Sequence, residues 1–149
     1  MKTYGIRIAD GRGHILSPTL SDILEEMNGK GSFSWCILFL DGTPRPGQGK
    51  LLVDYEKKIN DSEKGLLLSL EELKNLSGRF FQMFETRILG SPDVNLLHRY
   101  KEEKEMYTTC DVVIELIDCA FWEVYVKDRK IIERLQQRFK EIELVDPLL

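Results

Sequence analysis

The run DVVIELIDCAFWEVYVKD, Asp111 to Asp128, is the densest apolar stretch of the chain, yet Asp111, Glu115, Asp118 and Glu123 interrupt it. Carboxylates gathered in a concave, partly dry site can serve as general acid and base, because burial and like-charged neighbours push their proton affinities apart. Alternation offers a second account of the same residues. Taken as strands, 111–118 and 122–127 place Val112, Ile114, Leu116, Trp122, Val124 and Val126 on one face. Val113, Glu115, Ile117, Glu123, Tyr125 and Lys127 fall on the other. Side chains directly opposite in an antiparallel pair share a face, so even must pair with even, and the connecting loop must be odd in length. The simplest loop is Cys119, Ala120 and Phe121. Glu115 then stands opposite Tyr125, Ile117 opposite Glu123 and Val113 opposite Lys127. On this reading Glu115, Glu123 and Tyr125 form an outer, mixed face suited to a protein partner, and no catalytic residue is assigned.

A second candidate is DGTPRPGQGK, residues 41–50, where Asp41, Arg45 and Lys50 could meet an anionic ligand. It is not a nucleotide loop. A phosphate-cradling P-loop needs G-x-x-x-x-G-K-[ST], whereas Gly47 is followed by Gln48 and Lys50 by Leu51, which leaves no hydroxyl for a magnesium ion. Cys36, Cys110 and Cys119 are odd in number and widely spaced, a pattern of reduced thiols rather than a disulfide framework. Neither they nor His14 and His98 show the paired short spacings of a structural zinc site, so no metal and no cofactor is expected. No GxSxG, HExxH or GxGxxG motif occurs.

Composition narrows the partners. The chain carries 21 Lys plus Arg against 25 Asp plus Glu, a formal charge of −4, and no basic tract that could track a phosphate backbone. Nucleic acid is not expected as a partner, while a basic protein is compatible. No segment reaches the roughly 18 consecutive apolar residues of a membrane helix, and MKTYGIRIADGRGH lacks the apolar core of a secretory signal. The expectation is a cytosolic protein. With 149 residues, 42% hydrophobic and 31% charged, the chain suits one globular domain over 1–149.

The elements that must position these residues can be read in order. TYGIRI is β-prone and opens the chain as a strand over 3–8. In SPTLSDILEEMNGKG, Ser17 or Thr19 can cap a helix over 19–28 whose Leu20, Ile23, Leu24 and Met27 share a face, with Asn28-Gly29 closing it. SFSWCILFL predicts a largely buried strand over 34–40, and LLVDYEKKIND a short edge strand. Ser69 with Glu72 forms a capping box for a helix over 70–77. RFFQMFETRILG predicts a strand over 79–88, central at one end and exposed at the other. That exposed part could serve as an edge in a homo-oligomer. A solvated helix over 93–105 is expected from Arg99–Glu103 and Lys101–Glu105 at i,i+4 spacing. Ile132, Leu135, Phe139 and Ile142 give an amphipathic helix over 129–142. Together these predict an α+β fold, a mainly antiparallel sheet with helices mostly on one face.

The stretches GIRI…LSDIL…SFSWCI and CDVVIELIDCAFWEVYVKDRKIIERL, about half the chain, resemble small bacterial cytosolic proteins of a family of unknown function from spore-forming bacteria. The shared features are core and turn residues, so the resemblance implies an α+β domain of bacterial source and carries no catalytic residue. In size, acidity and want of a catalytic motif the chain is also similar to immunity proteins encoded beside bacterial toxins, a likeness of class. Two expectations follow: a non-catalytic inhibitor of a basic partner at Glu115, Glu123 and Tyr125, or a small ligand-binding domain or enzyme at 41–50.

Overall fold

The computed structural model describes residues 2–12, 15–27 and 29–149. His14 and Asn28 lie outside them, and the helix expected over 19–28 already ends at Glu25. Strands β1 (Tyr4–Ile8), β2 (Gly11–Arg12), β3 (Ile15–Leu16), β4 (Ser34–Pro44), β5 (Leu66–Leu68), β6 (Phe80–Ser91), β7 (Val112–Ile117), β8 (Phe121–Val126) and β9 (Ile142–Val145) alternate with five helices. The helices are α1 (Leu20–Glu25), α2 (Gly49–Asp61), α3 (Leu70–Ser77), α4 (Glu103–Thr109) and α5 (Arg129–Arg138). Seven strands form one antiparallel sheet in the order β5-β4-β6-β7-β8-β1-β9, and β2 pairs with β3 as a separate ribbon. The α+β expectation holds.

The main core lies on the even-numbered face of β7 and β8. Val112, Ile114, Leu116, Trp122, Val124 and Val126 pack there with Ile23 and Leu24 of α1, Leu52 and Ile59 of α2, Leu73 of α3 and Leu135 of α5. The opposite face is not open to water. Residues 92–110, a 3-10 turn at Val94–Leu96 followed by an irregular run and α4, cross it and bury Leu97, Met106, Tyr107 and Cys110 against Leu89, Val113 and Tyr125.

Four local expectations are corrected, each for a physical reason. LLVDYEKKIND is the helix α2, because Leu52, Tyr55 and Ile59 at spacings of three and four line one side; the apolar start alone had the look of a strand. The helix expected over 93–105 is broken, because Arg99 leaves the surface to donate to the carbonyls of Leu38 at 2.6 Å and Ile59 at 3.0 Å. Leu38 is the bulged residue of β4, and Ile59 lies in the last turn of α2, so one guanidinium satisfies both. The C-terminal helix stops at Arg138. Asp10 accepts from the backbone N–H groups of Lys140 (2.9 Å) and Glu141 (2.7 Å), turning the chain so that Ile142 enters β9 beside β1.

The fourth correction concerns the β7–β8 hairpin. Glu115 stands opposite Glu123, Val113 opposite Tyr125 and Ile117 opposite Phe121, a slip of two residues from the expected register. The parity argument survives, because a two-residue slip leaves every side chain on its face. The loop is Asp118, Cys119 and Ala120; the first two adopt left-handed φ of 49° and 57°, and the Ala120 N–H closes the turn on the Ile117 carbonyl at 2.8 Å.

Candidate functional site

A transverse row of charge crosses the sheet. Register places Glu143 of β9, Arg7 of β1, Glu123 of β8, Glu115 of β7 and Arg87 of β6 side by side. Two carboxylates directly opposite one another repel, so each is held from its other flank. Arg7 donates Nε and Nη2 to Glu123 Oε2 at 2.9 and 2.7 Å. Arg87 donates to Glu115 Oε2 at 2.6 Å. The remaining oxygens accept phenol protons, Tyr125 to Glu123 Oε1 at 3.0 Å and Tyr107 to Glu115 Oε1 at 2.5 Å. The two rings stack with centroids 4.0 Å apart. Burial raises the proton affinity of Tyr107 and Tyr125, and the adjacent carboxylates raise it further. Arg7 is held charged by its bond to Glu123.

The row therefore places Glu115, Glu123 and Tyr125 at 3%, 6% and 5% exposure, on the face that residues 92–110 cross and not on an open outer face. The expectation of an exposed acidic patch is corrected: alternation found the right face, but the sequence did not reveal the segment that covers it. Their partners Arg7, Arg87 and Tyr107 were missed. No local signal marked them: Arg7 between Ile6 and Ile8, and Arg87 between Thr86 and Ile88, read as the outward-facing residues of alternating strands.

The row ends at the open edge of the sheet. The Ala9 N–H donates to the Glu141 carbonyl at 2.8 Å. Bonded pairs alternate along an antiparallel ladder, so Arg7–Glu143 and Gly5–Val145 are the bonded pairs, and Ile142 and Leu144 turn their N–H and C=O groups outward. Leu144 is 61% exposed and lies over a groove of about 570 Å³ between β9 and α5, lined also by Tyr4, Ile132 and Gln136. Glu141 and Glu143 are exposed, and neither side chain has a hydrogen bond or ion pair among the described residues.

The 41–50 residues are not gathered into one site. Asp41 belongs to β4 and faces Glu85 in the register; Lys50 is exposed in the first turn of α2. Arg45, Pro46, Gly47 (φ 80°) and Gln48 form a turn closed by the Gln48 N–H on the Arg45 carbonyl at 3.0 Å, with proline and glycine at the positions such a turn requires. Of the three, Arg45 lines a cavity of about 180 Å³ walled by Leu20, Phe80, Leu116 and Trp122.

The thiols are poor nucleophiles. Burial pushes Cys36 and Cys110 up to about 11. Cys119, half-buried in the hairpin turn, is raised by burial and by Asp118, Glu85 and Asp41. Glu85 is raised by its hydrogen bond with Asp118. Among the described residues no group of His, Cys, Asp and Glu has the geometry of a metal site, and no helix is long and apolar enough to cross a membrane. Comparisons with protein-family models, curated proteins and solved structures find no match, so the resemblance read from the sequence gains no family assignment from them.

Proposed function

We propose that this protein is a non-catalytic binding module that accepts an extended, basic segment of a partner protein as an added strand along β9. The observation that carries the reading is the outward-facing backbone of Ile142 and Leu144, a row of donors and acceptors unused among the described residues, beside a groove of mixed polar and apolar lining. Main-chain hydrogen bonds would supply affinity, and alternate side chains of the partner would enter the groove between β9 and α5. Glu141, Glu143 and the neighbouring Asp146 give the edge an acidic character that favours Lys and Arg on the incoming strand. Occupying a basic partner in this way suits an inhibitor, the role that the likeness of class to immunity proteins implies.

A displayed library of extended nine-residue peptides tests the reading. Selection is expected to yield basic peptides with alternating apolar residues that bind less tightly as salt rises. Leu144→Pro removes an outward N–H that the β1–β9 ladder does not use, and is expected to weaken selected peptides by at least tenfold, as a lost ladder bond and a blocked edge require. Glu143→Lys should weaken them several-fold. Failure to select any peptide, or selected peptides indifferent to Leu144→Pro, would overturn the proposal.

A further inference from the structure

The cavity beside Arg45 has a property that strand addition on β9 does not use. Phe80, Leu116 and Trp122 form its apolar part, and several polar groups of its wall are already hydrogen-bonded. Trp122 donates Nε1–H to the Pro18 carbonyl at 2.9 Å; Ser77 donates to the Lys74 carbonyl at 2.7 Å and meets Ser21 Oγ at 2.6 Å. Arg45 is the charged residue of its lining. Arg45 spends only Nε, on the Gly78 carbonyl at 3.1 Å, and keeps its terminal amino groups free among the described residues. Arg45 and Gly78 also border a shallow depression that includes Lys74 and Arg79.

None of these three cations meets a carboxylate within 4.0 Å among the described residues. Arg79 is bonded only to the neutral amides of Asn75 and Gln48. The carbonyl end of α3 explains part of the gathering, but a helix terminus is equivalent to only about half a negative charge.

We propose that this cavity and its mouth bind a small anionic amphiphile, an aryl or short acyl group carrying a phosphate. The apolar body would enter above Trp122, and the dianionic head would sit among Arg45, Lys74 and Arg79. The size is suitable, since an apolar cavity of about 150 Å³ accommodates a benzene ring. A guanidinium and an ammonium beside one another match phosphate oxygens, the arginine in a forked geometry and the lysine as a point charge.

Phenyl phosphate is the probe, with inorganic phosphate and phenol as its separated halves. Trp122 in the floor supplies a fluorescence change, and a calorimetric titration supplies the affinity. Phenyl phosphate is expected to bind at least tenfold more tightly than either half. Arg45→Gln and Lys74→Gln, both exposed and therefore tolerated by the fold, are each expected to weaken it by about tenfold, the equivalent of about 1.4 kcal/mol. Equal affinity for phenyl phosphate and inorganic phosphate would reduce the site to a surface ion contact and overturn the proposal. So would tight binding unaffected by both substitutions. The β9 peptides serve as the independent control, since Leu144→Pro should leave phenyl phosphate binding unchanged.

Discussion

Glu115 shows how a single residue is committed by its surroundings. Its carboxylate is 3% exposed and accepts from Arg87 and Tyr107 while facing Glu123 across the ladder. Removing one member of a buried ion pair leaves the other desolvated without compensation, which typically costs 3 to 5 kcal/mol. Glu115→Ala is therefore expected to lower unfolding stability by about 3 kcal/mol in urea titrations. The double substitution Glu115→Leu with Arg87→Met should recover most of that loss, because the uncompensated charge is gone. If the double variant were as unstable as the single one, the ion pair would not be the source. Gly90 is fixed by closeness: a Cβ there would stand 2.7 Å from the Trp35 ring.

At the scale of elements, termini decide more than propensities do. Thr19 with Asp22 and Ser69 with Glu72 form complete capping boxes, and the two helices begin where the sequence indicates. Asp128 caps α5 through the Lys130 N–H at 3.0 Å and pairs with Lys30 at 3.0 Å. Its bond to Lys30 and that cap hold its pKa below the usual carboxylate range. A depressed carboxylate contributes stability above its unfolded pKa of about 3.9 and loses it as pH falls through the lower folded value. Asp128→Asn keeps a capping oxygen but not the charge. It should be less stable than the parent at pH 7, by no more than about 1 kcal/mol because the pair is partly solvated. The difference should shrink as pH falls below the unfolded value of about 3.9 and vanish once the folded carboxylate is protonated too, in urea midpoints measured across pH. The elements that the sequence misplaced are those ended or bent by a distant residue, α5 by Asp10 and the 93–105 region by Arg99. No local pattern carries such information.

Across the whole molecule, the sheet and its main core were legible because period-two alternation in β7 and β8 and period-3.6 spacing in α1 and α3 both point to one buried face. The second face was not. Burying Glu115 and Glu123 takes two arginines and two tyrosines from β1, β6, β8 and α4, elements far apart in sequence, and only their joint presence makes the placement tolerable. Glu143 and Leu144 were hidden for a similar reason. They follow a run read as helix up to Ile142, and only the Asp10 contact makes them a strand edge. Strand order likewise follows from long-range pairing: the first strand lies between the last two.

The segment 92–110 also gives the molecule an internal clock. Cys36 is completely buried beneath it and Cys110, its last residue, is completely buried against the sheet, whereas Cys119 is half-buried at the hairpin turn. Apart from α4 and one 3-10 turn, the segment lacks regular backbone bonding, so it can lift as a unit while the sheet stays paired. Treated with a thiol reagent, the folded protein should label Cys119 first. Cys36 and Cys110 should follow together at a slower rate set by how often the segment opens, in mild urea below the global transition. Two buried thiols modified at one shared rate would time that motion. Modification only at the rate of global unfolding would show that the cover and the sheet open as one.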